Sequence, residues 1–247
     1  MRREAPDRRG DGPRPEPGRG GQSDGRSLSL LHLGTARVVG TVPLPARPTR
    51  VAADGSLAAA VSPWSHSLFL IDLASPGFPV TAIPVGHGSV DVALDAALQL
   101  AVVLDTNRKQ ISVVNFQTPG SPLIGTLPLP HSAHQLAYSK DLGWAFLGSS
   151  KERGLLFLVD VADNPSAPIL LQTRTLSNVP GLSDGDGVAP QGIAINGTTE
   201  DVIILDRDGS LQTYNAASDL LTQAYRVARG PLQDVALDPV RNLAVVP

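Results

Sequence analysis

Cysteine is absent from the 247 residues, which excludes disulfides, thiolate nucleophiles and thiolate metal sites without identifying a compartment. Aromatic residues make up only 4%, so any core must be built from Val, Leu, Ile and Ala. Histidine occurs five times, which leaves little material for metal chemistry on imidazole. The formal net charge of −3 gives the folded part no basic footprint for nucleic acid. No apolar run approaches the length of a membrane span. Nucleophile-elbow, phosphate-loop and dinucleotide fingerprints are all missing, as is any convincing helix to present one. What the chain does have is 24 Gly and 22 Pro among 42% hydrophobic residues, the composition of many short strands joined by many turns.

One short phrase returns five times: an apolar residue, alanine, an apolar or small residue, then a turn-former. The copies begin at Val51, Val92, Leu136, Ile193 and Val235, giving spacings of 41, 44, 57 and 42 residues. A period of this size, filled by apolar runs and turns, predicts an all-β fold, a β-propeller of four-stranded antiparallel blades. In the second repeat the strands, A to D outward from the axis, fall at 90–94, 100–104, 110–115 and 123–129. The third gives strands at 144–148, 155–160 and 169–175, and the fourth at 201–205, 210–214 and 221–227. Strand C ends on Asp72, Asn115, Asp160 and Asn215, which reads as a set of turn caps at one hairpin of every blade. The alanine of strand A is predicted to be structural, because neighbouring blades are closest where their innermost strands meet.

The ends carry complementary halves. Residues 28–44 match a strand C and a strand D, and the chain stops on a strand B, so about five blade-equivalents are present. Either the halves join into the fifth blade of a closed ring, or the chain is a fragment of a larger propeller. Residues 1–27 form an Arg/Gly/Pro-rich leader expected to be disordered, and residues 28–247 the propeller domain.

The order VVGTVPLP at 38–45, then Pro48-Thr49-Arg50-Val51-Ala52-Ala53-Asp54-Gly55, then Leu68-Phe69-Leu70-Ile71-Asp72 resembles the YVTN family of β-propeller repeats, relatives of NHL and WD40-like propellers. The resemblance covers about residues 28–247. The Tyr-Val-Thr-Asn string itself is missing, with LAAAV, LAVVL, WAFLG, DVIIL and LAVVP in its place, and so is a Trp-Asp signature. The resemblance implies a bacterial protein, exported or on the cell surface, although the leader lacks the apolar core of a signal peptide. Its members include surface-layer-like proteins and enzymes alike, so it speaks to fold more than to function.

Candidate binding residues lie two positions before each anchor: Thr49, His134, Gln191 and Gln233, with Val90 at the second repeat. They sit on loops leading into strand A, at the mouth of a propeller's channel, where hydroxyl, imidazole and amide groups could hold a polar ligand or merely solvate the rim. His87 and His131 share a second register, and His131 with His134 supplies half of a metal site for which no third ligand has recognisable spacing. The long spacing of 57 marks an insertion over 178–190 containing Asp184 and Asp186 among glycines, candidate ligands for a weak calcium ion or simply polar turns. Asp206-Arg207-Asp208-Gly209 repeats that pattern, and no other cofactor is expected. The residues favour a non-enzymatic scaffold binding a protein or a small polar ligand at the channel mouth. The alternative is a lactonase-like hydrolase or lyase acting on a small polar or cyclic ester. It would need Glu, His or Asn converging on the channel, and no Glu stands at the rim positions.

Overall fold

The computed structural model describes residues 25–32, 34–118, 120–150, 154–177, 189–227, 235–238, 241 and 243–245. Every regular element among them is a strand, as short β-branched and aliphatic runs bounded by turn formers require. A two-stranded half-blade comes first, β1 (Ser27–His32) with β2 (Arg37–Pro43). Two whole antiparallel sheets follow: β3 (Arg50–Asp54), β4 (Leu57–Ser62), β5 (Ser67–Asp72) and β6 (Val80–Pro84), then β7 (Ser89–Asp95), β8 (Leu100–Asp105), β9 (Gln110–Asn115) and β10 (Leu123–Pro128). The third comprises β11 (Gln135–Ser139), β12 (Trp144–Ser149), β13 (Leu155–Asp160) and β14 (Ile169–Thr175). The fourth comprises β15 (Pro190–Asn196), β16 (Asp201–Asp206) and β17 (Ser210–Asn215), with β18 (Leu220–Leu221) and β19 (Tyr225–Arg226) sharing its outer edge. A second half, β20 (Ala236–Asp238) with β21 (Leu243–Val245), completes the series.

The strands of each whole sheet lie side by side in chain order, so the architecture is the predicted all-β propeller. One detail differs from the sequence reading, and one choice it left open is narrowed. The outer strand expected at 221–227 is split, because Thr222 turns its own hydroxyl into the ladder: Oγ1 accepts from the Thr213 N–H at 2.9 Å and donates to the Thr213 carbonyl at 3.1 Å. Of the two accounts of the ends, the described residues show the halves as separate two-stranded sheets. No strand pairing joins β21 to β1 among the described residues, and Leu31, Val38 and Val39 in one half and Leu243 and Val245 in the other remain exposed. The joined fifth blade is therefore not formed by these strands.

The core lies between sheets, one apolar cluster for each adjacent pair. Val42 and Leu44 pack with Phe69 and Ile71, Val61 and Leu68 with Val92 and Val103, Leu104 and Val113 with Leu136 and Phe157, and Phe146 and Leu158 with Ile204 and Tyr214. The pleat explains the recurring alanine. Val92 and Leu94 point back onto the preceding sheet, where Ala52 packs beside them, whereas Ala93 points forward onto the cluster around Leu136. Ile193 and Ile195 likewise face back, and Ala194 faces forward towards Val235. The small residue thus leaves room for the large pair of the next inner strand. Ala52, Ala93, Ala137 and Ala194 are all half-buried.

One glycine marks a close approach between sheets. A Cβ built on Gly125 in β10 would stand 2.3 Å from the backbone carbonyl of Pro165, in the outer turn of the next sheet. Gly125→Ala should therefore destabilise by about 1–3 kcal/mol through overpacking, because backbone has to move rather than a side-chain tip. An unchanged urea midpoint in that variant would show that the two sheets are not held at this distance.

Candidate functional site

Strand alternation sorts the connections onto two faces. The A–B and C–D turns lie on one, and the D–A loops and B–C turns on the other. On the first face polar side chains are absorbed by turns. Asp72 Oδ1 accepts from the Ala74 and Ser75 N–H groups at 2.9 and 3.3 Å, Asn115 from Gln117 at 3.0 Å, Asp160 from Asp163 at 3.3 Å and Asn215 from Ser218 at 2.9 Å. These are the turn caps expected from the sequence. The Ser75 hydroxyl, followed by the Ala74 N–H, holds the Asp72 carboxyl below its usual range. Asp54 is similarly lowered, first by Lys140 at 2.5 Å and then by the Ala96 N–H at 2.6 Å, a bond that ties the first whole sheet to the second.

The loop face carries the sequence-predicted rim. The Thr49 N–H donates to the Val61 carbonyl at 2.9 Å and the His134 N–H to the Gly148 carbonyl at 2.8 Å. Val61 and Gly148 are the penultimate residues of β4 and β12, so Thr49 and His134 occupy one register in two sheets. Val90 and Gln191 hold the same place at β-bulges, where the pairing skips from Ser89 to Asp91 and from Pro190 to Gly192. The Thr49 hydroxyl also donates to the Val61 carbonyl at 3.2 Å, His134 is exposed and Gln191 is half-buried. Among the described residues no hydrogen bond joins Thr49, His134 and Gln191 to one another. Gln233, Asp184 and Asp186 lie outside the described residues. Among the described residues no group of three or more His, Asp or Glu is placed to hold a metal, so His131 and His134 acquire no third ligand there.

Beneath this rim is a row that the sequence reading passed over. Ser62, Asp105, Ser149 and Asp206 each end the second strand of their sheet, and all four are buried. The signal was present as a Ser, Asp, Ser, Asp alternation directly after each apolar run, but such residues read as ordinary turn formers. Asp105 Oδ1 accepts from the Arg108 N–H at 2.9 Å, and the Ser149 hydroxyl donates to the Ser132 carbonyl at 2.6 Å. Asp206 accepts from the Ser210 hydroxyl through Oδ2 at 3.3 Å, while its Oδ1 is buried without a partner. Burial, followed by the neighbouring charge of Asp208, pushes the Asp206 carboxyl up to about 7, against the opposing pull of Ser210 and Gln212. Asp208 itself accepts from the Ser210 N–H at 2.8 Å. The Asp-Arg-Asp-Gly run is thus a tight turn with one buried carboxyl.

Two further buried side chains set the geometry of the face. The buried Gln212 side chain grips Ser177 three ways, accepting from its N–H at 3.0 Å and its hydroxyl at 3.1 Å and donating to its carbonyl at 2.8 Å. Asp91, also buried, accepts from the Leu136 N–H at 2.9 Å and so links the inner strands β7 and β11.

Exposed chemistry gathers beside the first two whole sheets. Trp64, 62% exposed, lies with the Arg47 guanidinium 5.5 Å from its ring centre, at a hollow of about 400 Å³ lined by Arg26, Pro45, Ala46, Arg47, Trp64 and Ser65. Next to it the His66 and His87 rings meet with centroids 3.6 Å apart. His87 stands between Gly86 and Gly88, whose φ angles of +127° and +90° are left-handed backbone open to glycine. A Cβ at Gly86 would meet Arg108 at 2.9 Å, so this loop lies directly against the B–C turn of the second whole sheet. Four of the five histidines, 66, 87, 131 and 134, belong to this face. A second hollow of about 280 Å³ opens between the third and fourth sheets, lined in part by Trp144, Leu171, Tyr214 and Asp219. There the Asp219 carboxyl is engaged by Arg174 and by the Tyr214 hydroxyl, which fastens the two sheets together.

The fold is similar to a solved structure, the β-propeller domain of Cps50 (Swd1) from Myceliophteria thermophila. The TM-score is 0.71 and the identity 12%, over 91% of this chain and 73% of that one. No family model and no curated protein matches the chain. At such an identity the likeness speaks for architecture alone. The chain is a β-propeller.

Proposed function

We propose that this propeller is a non-enzymatic binding scaffold that takes a protein or a small polar ligand on the face of its D–A loops and B–C turns, at the channel mouth. The observation that carries the reading is Trp64 with Arg47 beside the open hollow, since exposed Trp and Arg at a concavity are the residue types that dominate binding energies. Thr49, His134, Gln191 and Gln233 are assigned to the rim of the site, and Asp184 and Asp186 to a weak calcium position in the insertion. The same proposal keeps the kinship with YVTN-type repeat propellers, and with it a bacterial, exported or cell-surface setting, on the strength of the blade order quoted above. Among the described residues no helix is long and apolar enough to cross a membrane.

Photo-crosslinking separates this reading from its rivals. A photoreactive residue in place of His134 or Gln191 should capture a partner from extracts of the source cells, and one in place of Asp163, exposed on the opposite face, should not. Equal capture from both faces would overturn the assignment. So would turnover of lactone or ester substrates that His134→Ala abolishes.

A further inference from the structure

We infer that the tract running from Arg26 through Arg47 and Trp64 to Arg108 docks an acidic segment of a partner polypeptide, with one apolar side chain of that segment entering the hollow beside Trp64. This rests on the binding reading and narrows it to a class of partner.

The tract is continuous. The hollow joins Arg26 to Arg47, Trp64 and Ser65, the next residue His66 touches His87, and Gly86 lies against Arg108. Among the described residues it also gathers more cations than carboxylates. Arg26, Arg47, Arg50, Arg108 and Lys109 are all exposed, and the three ion pairs among the described residues, Lys140–Asp54, Arg174–Asp219 and Arg241–Asp238, lie elsewhere. Asp105, buried behind Arg108, accepts the Arg108 N–H through Oδ1, and its Oδ2 lies on the same side of Gly86 as the Arg108 guanidinium, so it offsets part of the Arg108 charge. Exposed guanidinium groups in a row raise the local concentration of an anionic partner and fix its register. The cations are spread along a strip of loops from two sheets rather than converging on a point, so they suit an extended anion better than a single small one. An extended single-stranded nucleic acid would call for several stacking aromatics in succession. The loops and turns of this strip offer one exposed large aromatic, Trp64, and the smaller imidazole of His87, next to a hollow of about 400 Å³ that accommodates an apolar side chain. A peptide with an apolar residue between carboxylates fits both features.

The test uses the full chain and a synthetic peptide carrying one leucine flanked on each side by two glutamates, followed by tryptophan emission and calorimetry. The peptide should bind with a blue shift in emission that Trp64→Ala removes. Arg47→Glu combined with Arg108→Glu should weaken it by about tenfold or more, as should raised salt. Thermal melting of the variants checks that they remain folded, which exposed positions permit. The inference falls if millimolar peptide gives neither heat nor emission change, or if the charge-reversed variant binds equally well. It also falls if a thymidine oligonucleotide, inorganic phosphate or phosphatidylserine vesicles bind more tightly than the peptide. Capture through His134 or Gln191 with no peptide binding would overturn the partner class and leave the scaffold reading standing.

Discussion

Asp206→Asn should flatten the dependence of stability on pH between about 4 and about 7 and leave the protein more stable than wild type above that window. The Asp206 carboxyl, 1% exposed and raised to about 7 chiefly by burial, keeps its proton in the native state over a range in which the unfolded chain has released it. The native state therefore binds more protons than the unfolded state, and wild-type stability falls as pH rises through the window. It is greatest below the unfolded value, and the loss is complete above the folded one. A shift of this size corresponds to about 4 kcal/mol, which asparagine recovers because it presents the neutral, hydrogen-bonding form at every pH. Urea melts at pH 4.5 and pH 8 measure it. An identical slope in wild type and variant would mean that Asp206 is ionised throughout.

Phe157→Ala is expected to cost about 3–5 kcal/mol, the range for removing a fully buried aromatic side chain and leaving a cavity. Phe157 is 0% exposed in β13, in the cluster where Leu104, Ile111 and Val113 of the second whole sheet meet Leu136 and Leu147 of the third. With aromatics at only 4% of the chain, few side chains could swing in to refill the space. Ile169→Ala on the outer edge of the same sheet, where the residue is 58% exposed, should stay within about 0.5 kcal/mol. Denaturant midpoints at constant m-value give the comparison. Equal losses at the two positions would show that the sheets do not pack through Phe157.

Strand positions were legible because their determinants are local. The run 110–115 read from the sequence is β9 residue for residue, and 155–160 is β13, each bounded by turn formers that act within a few residues. The caps at Asp72, Asn115, Asp160 and Asn215 were legible for the same reason, since an Asx side chain bonds the turn it begins. Thr49 and His134 fell into one register because the repeat phase carries over from sheet to sheet. The bulges at Val90 and Gln191 did not show, because an extra residue in an inner strand leaves the apolar pattern nearly unchanged. Thr222 was missed in a similar way, its hydroxyl standing in a ladder where the sequence offers only another β-former.

The sequence by itself determined the repeat, the blade as its unit, the order of strands within it and the small residue on each inner strand. All of these follow from periodicity and turn chemistry along a short stretch of chain. Tertiary structure alone decided which neighbour each alanine faces, that Asp206 is buried with an empty oxygen, that Gln212 holds Ser177 across 35 residues, and that no pairing joins the end halves among the described residues. It also decided that exposed cations from separate loops line up beside Trp64. Burial and electrostatic environment are set by chain segments far apart in sequence, and the distance between them exists only once the sheets have packed.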